Sequence, residues 1–275
     1  MENKVYTKKD IFESLEALGA PRDGVLLMHT SMRSIGRVEG GVGGLLDAMI
    51  EYFTSCGGLF IVPTHTWHNL DNPDATVTLD LGSSDTCLGA FSNAAAADPR
   101  GYRTENPTHS VVIFGDRERA LELAKFEGEI DTPIAPLSCY GRLSEVGGKI
   151  LLVGVGQTKN TFIHSVEEMI GVGNRMESHA TEYTVRRATG ELLQRKMRLF
   201  YTDYTPDISY RFHKYELALR YHGAIADGFI GNAPTELCDA RKIESTLRLI
   251  YSRSHGTDPL ADEEMLPPSL YTNRE

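Results

Sequence analysis

The residues best suited to chemistry cluster in four short segments. In NTFIHSVEE, Asn160–Glu168, His164 and Glu167 are spaced i, i+3 and so share one face of a helix. A carboxylate beside an imidazole raises its pKa and can orient it as a base, although a solvated surface His–Glu pair has the same spacing. Thr161 falls at the start of that helix. In PTHTWH, His65 and His68 lie i, i+3 with Asp71 and Asp74 nearby, and with His109 they have the composition of a metal site, but no HExxH signature accompanies them. RTENPTHS, Arg103–Ser110, places His109 and Ser110 behind a proline-fixed turn, where Thr108 and Ser110 could equally satisfy local backbone groups. HTSMRSIGRVEGGVGG, His29–Gly44, is rich in glycine, which lets a backbone approach a ligand closely, and it ends where the free N–H groups of a helix start suit a phosphate or carbonyl. It is neither a GxxxxGK[ST] loop nor a clear dinucleotide fingerprint, so a plain structural turn stays open.

The elements that must position these segments alternate. Lys8–Leu18 has helical apolar spacing, with Thr7 as its N-cap. VLLM within Gly24–His29, GLFIVP at Gly58–Pro63 and ILLVGVG at Ile150–Gly156 are continuous apolar runs, as expected of strands covered on both faces. Helices are expected at Gly44–Phe53, Leu88–Ala97, Arg117–Lys125 and about 161–170, and a strand at Ser110–Gly115. The polar stretch Thr64–Cys87 is a long loop, and such loops inside compact domains are usually functional. Beyond Gly173 the pattern changes. Thr181–Arg187 and Lys196–Tyr201 alternate like antiparallel strands. Tyr210–Tyr221 and Ala240–Tyr251 read as helices, the second capped by Asp239. The chain after Ser252, with Pro259, Pro267 and Pro268, reads as a peripheral surface segment. The expectation is one α/β domain over residues 1–275, with a mixed sheet and an antiparallel C-terminal part.

Composition narrows the function classes. The chain has 275 residues and a net charge of −10, from 28 Lys+Arg against 38 Asp+Glu, which argues against a nucleic-acid partner; such a field would attract a cationic substrate, although many cytosolic proteins are acidic simply for solubility. No apolar run is long enough for a membrane span and the N-terminus lacks a signal-peptide core, so a cytoplasmic location without membrane association is expected. The four cysteines form no CxxC pair and are expected to be reduced thiols.

Taken in order, HTSM…GVGG, the strand ending in VPT, CLGAF, RTENPTHS, ILLVGVG and NTFIHSVEE resemble the aminoglycoside 3-N-acetyltransferase family over residues 8–190. The resemblance implies a three-layer α/β/α sandwich unlike the GNAT acetyltransferases. It implies transfer of an acetyl group from acetyl-CoA, as co-substrate, to the 3-amino group of an aminoglycoside antibiotic. By resemblance, Thr30, Ser31, Met32, Arg33, Gly36 and Val38 line CoA, and His109, Ser110 and Val111 flank its pantetheine arm. Asn106 stands where the family has a histidine. His164 matches the catalytic histidine and Glu167 its acidic partner.

The implied chemistry is direct transfer. An ammonium group is not a nucleophile, so His164 would accept a proton, and Thr161 or a backbone N–H would stabilise the oxyanion. No enzyme nucleophile is needed, and no metal is expected. Asp71, Asp74, Asp80, Asp85, Glu129 and Asp131 are the acidic candidates for holding a cationic small-molecule amine, and a homodimer is compatible with this picture. Three alternatives stand beside it: a family member acting on a non-antibiotic amine, a metal-dependent hydrolase built on His65, His68, Asp71 and His109, and a CoA-binding protein altered at Asn106.

Overall fold

The computed structural model describes residues 4–72 and 75–272. In chain order the elements are β1 (Val5–Tyr6), α1 (Lys8–Ala17), β2 (Val25–Thr30), α2 (Met32–Ile35), β3 (Arg37–Val38), α3 (Gly41–Thr54), β4 (Leu59–Pro63), β5 (Leu79–Asp80), α4 (Ala90–Ala97), β6 (Tyr102–Arg103) and β7 (Val111–Phe114). They continue through α5 (Arg117–Ala124), β8 (Lys149–Val153), α6 (Phe162–Ile170), β9 (Thr181–Arg186), β10 (Leu192–Met197), α7 (Glu216–Tyr221), β11 (Ile225–Ile230), β12 (Ala233–Asp239) and α8 (Ala240–Arg253).

A seven-stranded sheet in the order β11-β12-β8-β2-β4-β7-β6 forms the middle layer. β2 runs parallel to β4 and β8, and every other pairing in the sheet is antiparallel. Because successive side chains point to opposite faces, the all-apolar strands feed two cores. Leu27, Ile61, Ile113 and Ile150 pack with α5, α6, α7 and α8 on one face. Leu26, Phe60, Phe114 and Leu151 pack with α1, α3 and α4 on the other. This is the three-layer α/β/α sandwich with a mixed sheet. Thr7 caps α1 in a reciprocal capping box with Asp10, and Asp239 caps α8 through Lys242 N.

Four expectations change. The apolar pattern gives no separate expectation for the hairpin β11–β12, yet it extends the central sheet from β8. Its signal is Gly231-Asn232, a two-residue turn between alternating strands in which Gly231 takes φ +61. The second strand of the β9–β10 hairpin is Leu192–Met197 rather than 196–201, because the short turn at Gly190 (φ +87) starts pairing at once, with Leu192 opposite Arg186. Residues 208–215 form a 3-10 helix that leads into α7 instead of one continuous α-helix. The chain after Ser252 is mostly exposed, yet it is anchored: Leu260, Leu266 and Tyr271 are buried in the core cluster that includes α7 and α8. Its prolines forbid regular structure without forbidding burial. Among the described residues, no helix is long and apolar enough to cross a membrane.

If the C-terminal segment is part of the core, Leu260→Ala will cost about 2–5 kcal/mol of unfolding free energy, the usual range for emptying a buried leucine site. Urea denaturation measures this, and a loss below about 0.5 kcal/mol would return the segment to the periphery.

Candidate active site

The strand directions bring four histidines to one edge of the sheet. His29 ends β2, His65 follows β4, and His164 lies beyond β8, so all three stand at carboxyl ends of parallel strands. β7 is antiparallel to β4, so His109, just before it, comes to the same edge. This is where open α/β sheets bind ligands. The four side chains line one cavity of about 590 Å³.

The β8–α6 connection sets the position of His164. Gly154 adopts φ +64, and a Cβ there would lie 2.3 Å from Ser34 Cβ, so only glycine lets the turn rest on α2. The turn is then pinned to β12: Asn160 Nδ2 donates to Gln157 Oε1 (2.9 Å), and Gln157 Nε2 donates to Glu236 Oε2 (2.7 Å). Phe162, Ile163 and Val166 anchor α6 in the core, and Gly171 ends the helix with φ +80. His164 is 8% exposed, and among the described residues nothing hydrogen-bonds its ring. Phe200 stacks on it with centroids 4.2 Å apart, and Phe212 meets it edge-on at 4.6 Å.

His65 and His109 are held by hydrogen bonds, whereas His29 Nε2 is buried without a hydrogen-bond partner among the described residues. His65 Nε2 and the Tyr140 hydroxyl share a 2.7 Å hydrogen bond, and the His65 and His109 rings lie 4.3 Å apart. His109 Nδ1 pairs with Thr108 Oγ1 at 2.9 Å, and its backbone N–H donates to Asn106 Oδ1. Asn106, the departure from the family pattern, is fully buried and donates to Pro133 O at 2.7 Å, so it braces the loop that carries His109.

Burial pushes the pKa of His29, His109 and His164 down to about 3, and His65 well below its ordinary value. Cationic neighbours act in the same direction, Lys159 on His29 and Arg175 on His164. The expected His164–Glu167 pairing is corrected here, together with its upward pKa shift. The Glu167 carboxylate accepts from Arg175 Nε (2.8 Å), Tyr215 (3.0 Å) and Tyr251 (2.8 Å), and Arg175 also donates to Asp258. A fully buried carboxylate must be satisfied by strong donors, and those of Glu167 are Arg175, Tyr215 and Tyr251, not the imidazole.

The remaining candidates separate by location. Thr161, His109 and Asp71 line the cavity with His164. Thr30, Ser31, Met32, Arg33, Gly36 and Val38 form the β2–α2–β3 corner, outside the cavity wall. Ser110 is buried and donates to Thr64 O, and Val111 is a core strand residue. Asp80 pairs with Arg186 in the small β10-β9-β5 sheet, and Glu129 is exposed away from the cavity. Asp74 lies outside the described residues. Of the metal candidates, His68 pairs with Asp85, and no group of three or more His, Cys, Asp or Glu among the described residues is arranged to hold an ion. Phe200, Asp207 and Lys159 also line the cavity. They carry no motif, since position alone gives them a place in the site.

The family model for aminoglycoside 3-N-acetyltransferase matches residues 27–248. The chain belongs to this family. It is therefore a member of an acyltransferase family. The aminoglycoside N(3)-acetyltransferase IV of Salmonella sp is 31% identical over 182 residues, a stretch that spans 64% of each protein. Among solved structures, aminoglycoside acetyltransferase AAC(3)-IVa, crystallised as a histidine-to-alanine mutant with a gentamicin, superposes with a TM-score of 0.75 at 25% identity, covering 98% of this chain and 95% of that one. AAC-IIIb, solved with CoASH, shares the fold at 20% identity and a TM-score of 0.74, covering 93% of this chain and 99% of that one.

The buried histidines make stability depend on pH. Unfolded histidine protonates near pH 6.5, whereas the folded cavity resists protonation down to about pH 3 for three of them. Below pH 6.5 the unfolded chain takes up protons that the folded one refuses. Stability is thus intact above pH 6.5 and is lost as pH falls, by about 1.4 kcal/mol per pH unit for each histidine. In urea unfolding between pH 6 and pH 4, His164→Asn should lower that slope by about one such increment. Equal slopes for the variant and the wild type would contradict a neutral, buried His164.

Proposed function

We propose that the protein moves an acetyl group from acetyl-CoA to an amino group of an aminoglycoside, the 3-amino group by family resemblance, in one direct step with His164 as general base. The observation that carries this is a neutral, buried His164 in the wall of a ligand-sized cavity, in a chain of this family. The gentamicin-bound and CoASH-bound relatives support the two substrate classes.

The chemistry follows from the lining. Among the described residues, Asp71 and Asp207 are the carboxylates of the wall, and they attract a cationic amine to the cavity. Thioester aminolysis needs the amine lone pair, so the ammonium first releases one proton to solvent, and once the neutral nitrogen bonds to the carbonyl carbon it becomes cationic and its protons far more acidic. His164 can accept one such proton despite its depressed basicity, because it is unprotonated at neutral pH. The proton then leaves with the thiolate, giving amide and free thiol. The oxyanion is served by Thr161, whose side chain makes no capping bond to α6, or by the free N–H groups where that helix begins. Arg33 and Arg37, exposed at the β2–α2–β3 corner and unpaired among the described residues, are available to CoA phosphates, while Ser31, Met32, Gly36 and Val38 shape the same corner.

Thiol release in the presence of acetyl-CoA and a panel of aminoglycosides tests the assignment. Wild-type turnover is expected, with kcat/KM for His164→Ala lower by about 100-fold or more, as for loss of a positioned base. A drop of less than about threefold would remove His164 as the base. Turnover on simple amines but on no aminoglycoside would keep the chemistry and change the acceptor.

A further inference from the structure

A catalytic histidine normally owes its orientation to a hydrogen-bonded third group. His164 lacks one among the described residues, because Glu167 is committed to Arg175, Tyr215 and Tyr251. We propose that Phe200 is the positioning residue of His164, fixing the plane of the imidazole by stacking where other enzymes use an acid. The proposal rests on His164 being the base.

Three observations bear it. The first is geometric. The Phe200 and His164 rings are 4.2 Å apart at 25°, while Phe212 closes the adjoining side at 4.6 Å and 65°. Two aromatic surfaces at different inclinations leave the imidazole little freedom to rotate. The second is that Phe200 also meets His109 edge-on, at 5.2 Å and 83°, so one ring sets the relation between two histidines of the wall. The third is how firmly its backbone is held. Phe200 bridges Met176, and its neighbours bond the same segment: Glu177 N donates to Leu199 O (2.9 Å), Leu199 N to Glu177 Oε2 (3.1 Å) and Tyr201 N to Arg175 O (3.0 Å). Arg175 in turn grips Glu167, one turn along α6 from His164. Ring and base are therefore mounted on one frame. Phe200 lines the cavity itself, so it does this from the substrate side. The charged and titratable groups coupled to His164 are Arg175 and two histidines of the wall, His109 and His65.

The test compares Phe200→Leu with Phe200→Trp in the full chain, reading acetyl transfer and the His164 titration by NMR of histidine-labelled protein. Leucine removes the stacked face and admits water. The expected result is a kcat about tenfold lower or more with KM within about threefold, and a His164 titration moved up by more than about one pH unit. Tryptophan, which keeps a flat ring, should hold kcat within about threefold and leave the titration near its wild-type position. A leucine variant with unchanged kcat and an unmoved His164 titration overturns the proposal, as does a tryptophan variant as impaired as leucine. If leucine does not fold, Phe200→Met takes its place under the same criteria. If the wild type acetylates no amine, the base assignment fails, yet the titration arm still decides whether Phe200 holds His164.

Discussion

The guanidinium of Arg175 is the constraint around which the C-terminal half is arranged. It is 4% exposed, and a buried cation is tolerated only when it is paired and fully hydrogen-bonded. Glu167 comes to it from α6, Asp258 from the C-terminal segment and the Tyr251 hydroxyl from α8, with Tyr215 completing the Glu167 carboxylate. Removing one partner of such a group typically costs about 3–5 kcal/mol, because an uncompensated charge remains. These elements therefore have a strong reason to stay together. The segment after Ser252 is recruited twice, by Asp258 electrostatically and by Leu260 through the apolar core.

The same network shapes the chemistry of the site above it. With Glu167 consumed, no acid among the described residues raises the pKa of His164, and burial together with the Arg175 charge drives it down instead. The cavity wall thus holds four uncharged imidazoles rather than a charged relay. Uncharged rings can pack against one another and against phenylalanine without the desolvation cost that imidazolium ions would carry. Aromatic packing becomes the means of orientation, and a weak base is adequate because the proton it takes sits on an activated nitrogen.

The sheet explains why the site is where it is. Three parallel strands and one antiparallel neighbour deliver their histidine-bearing ends to one edge, and the β2–α2–β3 corner joins that edge through Gly154 and Ser34. The loops can vary in sequence while the strands hold their roots, which is the usual division of labour in α/β folds.

Much of this was legible in the sequence. Apolar runs such as GLFIVP and ILLVGVG determined buried strands, Thr7 and Asp239 marked helix starts, and the ordered motifs indicated the family and singled out His164. These are local signals, set by residues within one or two turns of each other. What the sequence could not determine was pairing over long distance. The i, i+3 spacing of His164 and Glu167 placed them on one helix, but which donor a buried carboxylate takes depends on what the folded chain brings to it, and Arg175, Tyr215 and Tyr251 come from three other places. Likewise Pro259, Pro267 and Pro268 spoke only for irregular backbone, while the burial of Leu260 was decided by the folded core it joins, where Arg211 donates to its carbonyl. Phe200 carries no local mark at all. Its place on His164 exists only because the turn at Gly190 sets the hairpin register and the bridge to Met176 carries the chain back to the cavity, so tertiary packing alone made it part of the site.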